Sequence, residues 1–281
     1  MLKSTFCHIP GIGLRHEDSM WRSGVFTWDD AVRGPDAPFR KAEGFRRHIM
    51  ESAERLKGDD PLYFAQRLPA SHLWRLYPEF RHSTAYLDIE TNGLMGPYGY
   101  ITTIALYDGS DIYYFVKGDN LRDFCDIISR YKVIVTYNGK CFDIPFIERH
   151  LGIRLRQAHI DLRYILRSLG FMGGLKGCEK GMGIDRGGLQ GVDGYFAVLL
   201  WNDFKRRRDG RTLETLLAYN IEDTVNLESL LIQAYNLKLR ETPFEKSHSL
   251  RLPNRPPVPF TADRGTIERV RGENLRYFNS L

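Results

Sequence analysis

The chain has 281 residues, of which 42% are hydrophobic and 27% are charged, and its formal net charge is +5 at pH 7. This length and composition suffice for one large globular domain with a small appendage, and they exclude a chain that lacks a hydrophobic core. No apolar run approaches the roughly 18 to 20 residues of a membrane span, and the first residues lack a signal-type apolar segment, so we expect a cytoplasmic protein that does not bind membranes.

The four cysteines are scattered along the chain, at Cys7, Cys125, Cys141 and Cys178. They form no Cys-x-x-Cys pair and no Cys/His set with the spacing of metal ligands, which disfavours both a disulfide framework and a zinc site. We expect reduced thiols that are mostly buried.

The positive charge is concentrated toward the two ends of the chain. Residues 1–84 carry 13 basic and 11 acidic side chains, residues 85–237 carry 18 and 19, and residues 238–281 carry 9 and 5. Basic flanks are expected if an acidic site is bordered by surfaces that hold a polyanion. Basic ends that only aid solubility explain the counts equally well.

Residues 1–83 are predicted to form a small, partly helical N-terminal extension. The "PGIG" tetrapeptide at residues 10–13 predicts a tight turn, and a helical pattern follows at residues 44–56. The turn is similar to the hairpin of helix-hairpin-helix modules, whose backbone amides bind phosphate. A purely structural turn is an adequate alternative.

Residues 84–239 are predicted to form the main domain. Three strands come first, with the turn "DGSD" between the last two, at residues 85–89, 100–108 and 112–118. A helix, a strand, a helix and a possible fifth strand follow, at residues 120–131, 132–139, 142–152 and 158–162. This order predicts an α/β fold, a mixed five-stranded sheet flanked by helices, with the first strand at its centre beside the fourth.

The longest predicted helix covers residues 212–239, where leucine and isoleucine recur at steps of three and four. Tyr219 and Asp223 lie four residues apart in it, and therefore on one face. Residues 240–281 are basic and rich in proline, which predicts an extended arm or a partly disordered tail.

Acidic residues stand in three segments of the predicted sheet and helix. Asp88 and Glu90 end the first strand, Asp143 follows the fourth, and Asp223 lies on the long helix. Singly, each has an ordinary explanation as a helix cap or a solvated position. The predicted topology brings them together, and several converging carboxylates could not all stay ionised without cations between them. Oxygen ligands without Cys or His favour Mg²⁺ or Mn²⁺.

The three acidic segments resemble the motifs of a known family. "LDIET", "YNGKCFDIPFI" and "YNIED" resemble, in this order, the three motifs of the DEDD exonucleases of the RNase H-like superfamily, the last in its tyrosine (DEDDy) form. The resemblance covers about residues 84–239. Within the superfamily it is closest to bacterial YprB-like RNase H-like proteins, which carry segments similar to "LKGCEKGMGI" between the second and third motifs.

The resemblance implies a two-metal 3′–5′ exonuclease that acts on DNA or RNA, with a single-stranded 3′ end as the expected substrate. Asp88 would bridge two ions, Glu90 and Asp223 would complete one site, and Asp143 would hold the other, largely through water. Tyr219 would orient the attacking water or help to deprotonate it. Attack in line on the phosphodiester, with the leaving 3′ oxygen neutralised, would release 5′-mononucleotides.

Several residues in or near these motifs are candidates for weaker or structural roles. Thr91, Asn138 and Phe142 are candidate substrate-binding residues, although Asn138 could only pin its turn and Phe142 could only pack. Asp161 is expected to cap the following helix. The basic run at residues 205–211 could contact phosphates or be a solvated loop. The glycine-rich residues 172–191 are interpreted as mobile loops around a short helix, bordering the substrate cleft.

Two other functions remain open at this stage. One is an endonuclease or structure-specific nuclease on the same fold, and the other is a nucleic-acid binding module without turnover. The sequence does not distinguish DNA from RNA, and it identifies no protein partner.

Overall fold

The structure is a computed structural model that describes residues 1–33, 37–189 and 192–279. Its described residues contain one sheet with the order β3-β2-β1-β4-β5. Strands β1 to β3 are antiparallel neighbours, whereas β1–β4 and β4–β5 are parallel pairs. The strands are β1 Thr84–Thr91, β2 Ile101–Tyr107, β3 Ile112–Val116, β4 Val133–Thr136 and β5 Ala158–Asp161. The predicted mixed five-stranded sheet, with its first strand at the centre, is confirmed.

Helices flank this sheet and form the rest of the described structure. Before β1 they are α1 Leu14–Arg22, α2 Trp28–Val32, α3 Glu43–Lys57, α4 Pro61–Ala65 and α5 Tyr77–Phe80. Between the later strands they are α6 Phe124–Ile128 and α7 Asp143–Leu151. After β5 they are α8 Leu162–Ser168, α9 Gly174–Gly181, α10 Gly194–Arg207, α11 Gly210–Leu239, α12 Glu245–His248 and α13 Arg264–Asn279. None of the described helices is long and apolar enough to cross a membrane.

The two faces of β1 pack against different layers. Ala85, Leu87 and Ile89 belong to the core that α6 and α7 cover. Tyr86 belongs to the larger core, which contains the apolar residues of α11. Because successive side chains of a strand alternate between its faces, Asp88 and Glu90 lie on the same face as Tyr86. The acidic side chains of the central strand are therefore directed toward the long helix.

Helix α11 is buried along most of its length and contacts β1 and β2. Its first residues are capped by Asp209, whose side chain accepts a hydrogen bond from the Arg211 amide. A helix that packs on both a sheet and other helices needs apolar residues around most of its circumference. The helix nevertheless buries several polar residues, and Asn220 and Asp223, which lie beside the acidic residues of β1, are functional candidates.

The N-terminal extension shares its core with α11. The Trp74 and Tyr235 rings meet edge to face with centroids 5.3 Å apart. The Tyr77 hydroxyl donates to Glu228 Oε1 at 3.1 Å, and Arg81 pairs with the same oxygen at 2.8 Å. These contacts hold the extension against the main domain, and the boundary at residue 83 stays a prediction.

The turn at residues 10–13 leads into α1, whose buried Glu17 carboxylate holds the segment before the turn. Glu17 Oε2 accepts the amides of Phe6 and Cys7 at 2.6 and 3.0 Å, and Glu17 Oε1 pairs with Arg75 at 2.6 Å. Gly11 has φ +86°, a conformation that favours glycine. A structural turn explains these residues, and phosphate binding there remains a prediction.

The chain after Leu239 differs from the expected extended arm. Residues 249–263 form neither helix nor strand, but helix α13 follows and packs on α10 and α11. Arg269 donates to both carboxylate oxygens of Asp203 at 2.9 Å. The sequence of α13 is polar and gave little helical signal. Its position depends instead on ion pairs to α10, a helix that is distant in the sequence.

The cysteines form no disulfide, as predicted. The expectation that they are mostly buried is wrong, because of the four only Cys178 is fully buried and Cys141 is exposed.

Candidate metal centre

Three carboxylates meet at the end of the central strand. Asp88 and Glu90 come from β1, where they pair with Ala105 and Thr103 of β2. Asp223 comes from α11, which packs on the same face of the sheet. One oxygen from each of Asp88, Glu90 and Asp223 lies within 4.8 Å of the other two. Residues far apart in the sequence thus present a compact set of oxygen atoms.

Burial makes this cluster electrostatically unfavourable when all of its members are ionised. Burial raises the pKa of Asp88 well above its usual value, and the negative charges of Asp143, Glu90 and Asp223 raise it further. Glu90 follows the same pattern, with burial first and Asp223 next. Buried like charges at this separation need either protons or cations to balance them.

Asp143 lies beside the cluster but outside the closest set of three. It is the first residue of α7, and its Oδ1 accepts the Ile89 amide of β1 at 3.3 Å. Burial raises the pKa of Asp143 to about 7, although the hydrogen bonds from the Asp143 and Ile89 amides oppose the shift. The helix-cap explanation fails for its side chain, because α7 has no side-chain cap and Asp143 reaches the sheet instead.

Tyr219 lies one helical turn before Asp223 and is only 3% exposed. Burial raises the pKa of its phenol far above the usual value, and the charges of Asp223, Glu90 and Asp88 add to the shift. Burial likewise raises the pKa of Asp223, while a hydrogen bond from Tyr219 is among the interactions that lower it. Burial and the neighbouring carboxylates thus favour the protonated phenol, and the predicted role of Tyr219 stays a prediction.

Asn220, which the sequence analysis did not select, fixes the position of Asp88. Its Nδ2 donates to Asp88 Oδ2 at 2.7 Å, and its Oδ1 accepts from Thr103 Oγ1 at 2.9 Å. An ionised carboxylate only accepts hydrogen bonds, so the first bond places the amide nitrogen toward Asp88, and the Thr103 hydroxyl then donates to the amide oxygen. The signal available in the sequence was its place within "YNIED", three residues before Asp223 on the same predicted helix.

Arg186 is the second residue that the sequence analysis missed. Its guanidinium pairs with Asp223 Oδ1 through Nη2 and with Glu179 Oε2 through Nη1, the latter at 2.5 Å. Asn226 Nδ2 donates to the other oxygen of Glu179 at 2.8 Å. The hint in the sequence was an arginine within a glycine-rich segment, together with four acids that were predicted to converge and that therefore require counter-charge.

Lys176 adds a second positive charge on the same side of the site. Its ammonium lies 4.9 Å from the centre of the Tyr219 ring, and its charge lowers the pKa of Asp223 after the larger effects of burial and Arg186. Lys176 and Arg186 also line a surface cavity of about 690 Å³. The glycine-rich segment thus borders the site through α9 and the turn after it; its residues 190 and 191 lie outside the described chain.

Two of the predicted substrate-binding residues, Thr91 and Phe142, lie near the acidic cluster and make structural contacts. Thr91 is buried, and its Oγ1 accepts the Gly93 amide at 3.3 Å. Phe142 precedes α7 and packs on Phe146 with ring centroids 5.6 Å apart. These contacts explain both residues without a substrate, and their predicted binding roles stay predictions.

The turn between β4 and α7 is held by Asp161. Its carboxylate accepts the amides of Asn138 and Lys140 at 2.8 and 3.1 Å. It also accepts the Arg163 amide at the start of α8, which confirms the predicted helix cap. Asn138 has φ +65°, and its side-chain oxygen accepts from Arg163, so Asn138 pins this turn while it remains partly exposed.

The donor set fits a hard divalent cation. It consists of carboxylate oxygens only, it is buried beside a central strand, and Arg186 compensates one of its members, Asp223. Oxygen ligands of this kind suit Mg²⁺ and Mn²⁺ rather than zinc. Asp88, Glu90 and Asp223 could hold one ion directly, and Asp143 is placed to take part from the neighbouring helix.

The chain is similar in sequence to one protein family and one curated protein, and in structure to one polymerase. A sequence model of the RNase H superfamily matches residues 85–235. The uncharacterized protein YprB of Bacillus subtilis strain 168 is 29% identical over 195 residues, which are 60% of this chain and 46% of YprB. The chain thus spans about half of that relative's length. A family B DNA polymerase from the hyperthermophilic archaeon Pyrobaculum calidifontis aligns with a TM-score of 0.44 and 19% identity, over 60% of this chain and 27% of the polymerase.

Proposed function

Because the chain belongs to the RNase H superfamily, we propose that it is a metal-dependent nuclease, acting as a 3′–5′ exonuclease on DNA or RNA in the cytoplasm. One observation carries the proposal. Oxygens of Asp88, Glu90 and Asp223 lie within 4.8 Å of one another at the end of the central strand. A structural role alone would not explain why the fold accepts so much buried negative charge.

The residues divide into ion-binding and orienting groups. Asp88, Glu90 and Asp223 would hold one divalent ion, and Asp143 would contribute to a second beside Asp88. Two such ions, when bound, neutralise the charge that develops on the attacking and leaving oxygens of a phosphodiester. Mg²⁺ and Mn²⁺ are both compatible with this set of oxygen ligands.

The chain's other polar groups would orient the reactants. Tyr219 keeps its proton in this environment, so its hydroxyl would donate to Asp223 or to a water beside it. Asn220 holds one oxygen of Asp88 and leaves the other for the ion. Removal of a fixed donor of this type costs roughly 10²- to 10⁴-fold in rate in other enzymes.

The experiment uses a 5′-labelled single strand, the same strand with a 3′-labelled end, and a circular single strand, each as DNA and as RNA. We expect stepwise shortening and release of labelled mononucleotide from the 3′ end in Mg²⁺ or Mn²⁺, and none in chelator. Asp223→Asn should abolish cleavage. Glu214→Gln, an exposed acid on the same helix, is the matched control and should cleave like the wild type.

Two results would contradict the proposal in different ways. Cleavage of the circular strand would replace the exonuclease with an endonuclease on the same site. Tight binding of every strand without cleavage in either metal would indicate a nucleic-acid binding module and would remove the enzymatic function.

A further inference from the structure

A cluster of positive charge surrounds Tyr100 at the start of β2. We define this Tyr100 patch as Tyr100, Lys117 and Lys205. The Lys117 ammonium lies 4.5 Å from the centre of the Tyr100 ring. Lys205 Nζ donates to the Tyr100 hydroxyl at 3.2 Å. The two lysines come from different elements, since Lys117 follows β3 and Lys205 belongs to α10.

The cations of the Tyr100 patch have no carboxylate partner within the described residues. The neighbours of Lys205 behave differently, because Arg206 and Arg207 both pair with Asp203 and Glu273. Lys205 is exposed and points instead to the ring that Lys117 also contacts. Two ammonium groups on one ring, with no carboxylate beside them, leave positive charge that an anionic ligand could neutralise.

Further groups extend the positive surface. Arg149 is exposed, and its guanidinium lies 4.8 Å from the centre of the Phe146 ring. Burial, followed by the charges of Lys117, Arg149 and Arg122, lowers the pKa of His150, which indicates that these cations surround it. The surface therefore runs from α10 across the ends of β2 and β3 to α7.

The Tyr100 patch lies next to the metal centre. Asn92, two residues after Glu90, donates its amide to the Tyr100 carbonyl at 3.1 Å, and the Tyr100 amide donates to Asn92 Oδ1 at 2.9 Å. Two residues of a strand span roughly 7 Å. Asn92 also donates through Nδ2 to the Tyr98 carbonyl at 3.0 Å, and the Tyr98 side chain is 77% exposed.

We propose that the Tyr100 patch binds the phosphodiester backbone of a nucleic-acid strand whose end lies at the carboxylate cluster, and that Tyr98 stacks on one of its bases. The proposal rests on the proposed function for the position of that end. Two ammonium groups from separate elements can contact the oxygens of one phosphate, and an exposed aromatic beside them matches how proteins bind single strands. Packing of lysine stems on the Tyr100 ring is the competing explanation, and it predicts no effect on binding.

The test measures binding rather than cleavage. A fluorescent single strand is titrated with protein carrying Asp88→Asn, in chelator, at several salt concentrations, and binding is followed by anisotropy. Lys117→Gln/Lys205→Gln is compared with Lys57→Gln/Lys246→Gln, which removes the same charge from exposed lysines elsewhere. We expect about tenfold weaker binding in the first pair and a salt slope smaller by about 0.7, because each neutralised phosphate of a single strand contributes about 0.7.

Other variants make the result independent of folding. Lys205→Glu changes one exposed side chain and should weaken binding more than loss of the Lys205 charge does. Lys205→Arg keeps the charge and should bind like the wild type. Tyr98→Ala should weaken binding several-fold without a change in salt slope, because stacking releases no counterions. Equal affinity and salt slope in the two double variants would overturn the proposal.

The outcome separates this proposal from the proposed function. If the wild type cleaves strands but the Lys117→Gln/Lys205→Gln pair binds like its control, only the Tyr100 patch is wrong. If the patch variants lose binding while the wild type cleaves nothing in metal, the patch is supported and the nuclease function is wrong.

Discussion

The buried carboxyl of Asp143 should make the free energy of unfolding depend on pH. Burial raises its pKa from 3.8 to about 7. A folded-state carboxyl with a raised pKa favours its protonated form, so its contribution to the free energy of unfolding falls as pH rises from about 4 to about 7. At about 1.4 kcal/mol per pKa unit, the whole shift corresponds to about 4 kcal/mol.

Asp143→Asn removes this titration while it keeps the shape of the side chain. In chelator the variant should be more stable than the wild type, and the difference should grow by about 3 kcal/mol between pH 5 and pH 8. Added Mg²⁺ or Mn²⁺ at pH 8 should stabilise the wild type more than the variant, because the ion favours the ionised cluster.

Urea unfolding, followed by circular dichroism at pH 5 and pH 8, measures the difference directly. Glu214→Gln, on the exposed face of α11, controls for loss of an acidic side chain and should follow the wild type at both pH values. A difference between Asp143→Asn and wild type that is equal at the two pH values would refute the reasoning about burial.

Three further predictions concern the groups around Asp223 and Asp88. Arg186→Met leaves Asp223 without its ion pair, so the metal-free protein should lose about 3 kcal/mol of stability at neutral pH, measured by urea unfolding, while calorimetry should show tighter Mn²⁺ binding because a competing cation is gone. Tyr219→Phe should bind Mn²⁺ within about twofold of the wild type but cleave roughly 10²-fold more slowly; unchanged cleavage would exclude an orienting role. Asn220→Ala should weaken Mn²⁺ binding about tenfold by freeing Asp88, and an unchanged affinity would show that the 2.7 Å hydrogen bond is not needed.

The main-chain architecture was accessible from the sequence because it follows simple periodicities. The order of three strands, a helix, a strand and a helix predicts that the first strand lies at the centre of the sheet beside the fourth. The four-residue spacing of Tyr219 and Asp223 predicts a shared helical face.

Other features depend on tertiary contacts that leave no local pattern. Arg186 reaches Asp223 from a glycine-rich turn, and the sequence of that turn does not predict which residue its side chain contacts. Helix α13 is polar, and its pairing through Arg269 to Asp203 could be recognised only once α10 was in place. Buried acids require counter-charges, but the sequence does not say which arginine supplies them.

Crystals soaked in Mn²⁺, with diffraction measured at an energy where manganese scatters anomalously, test the central claim most directly. We predict an anomalous peak bound by Asp88, Glu90 and Asp223, with Arg186 displaced from Asp223, and no such peak in Asp88→Asn crystals. Saturating Mn²⁺ that leaves the Arg186–Asp223 pair intact and no peak among the three carboxylates would contradict the account.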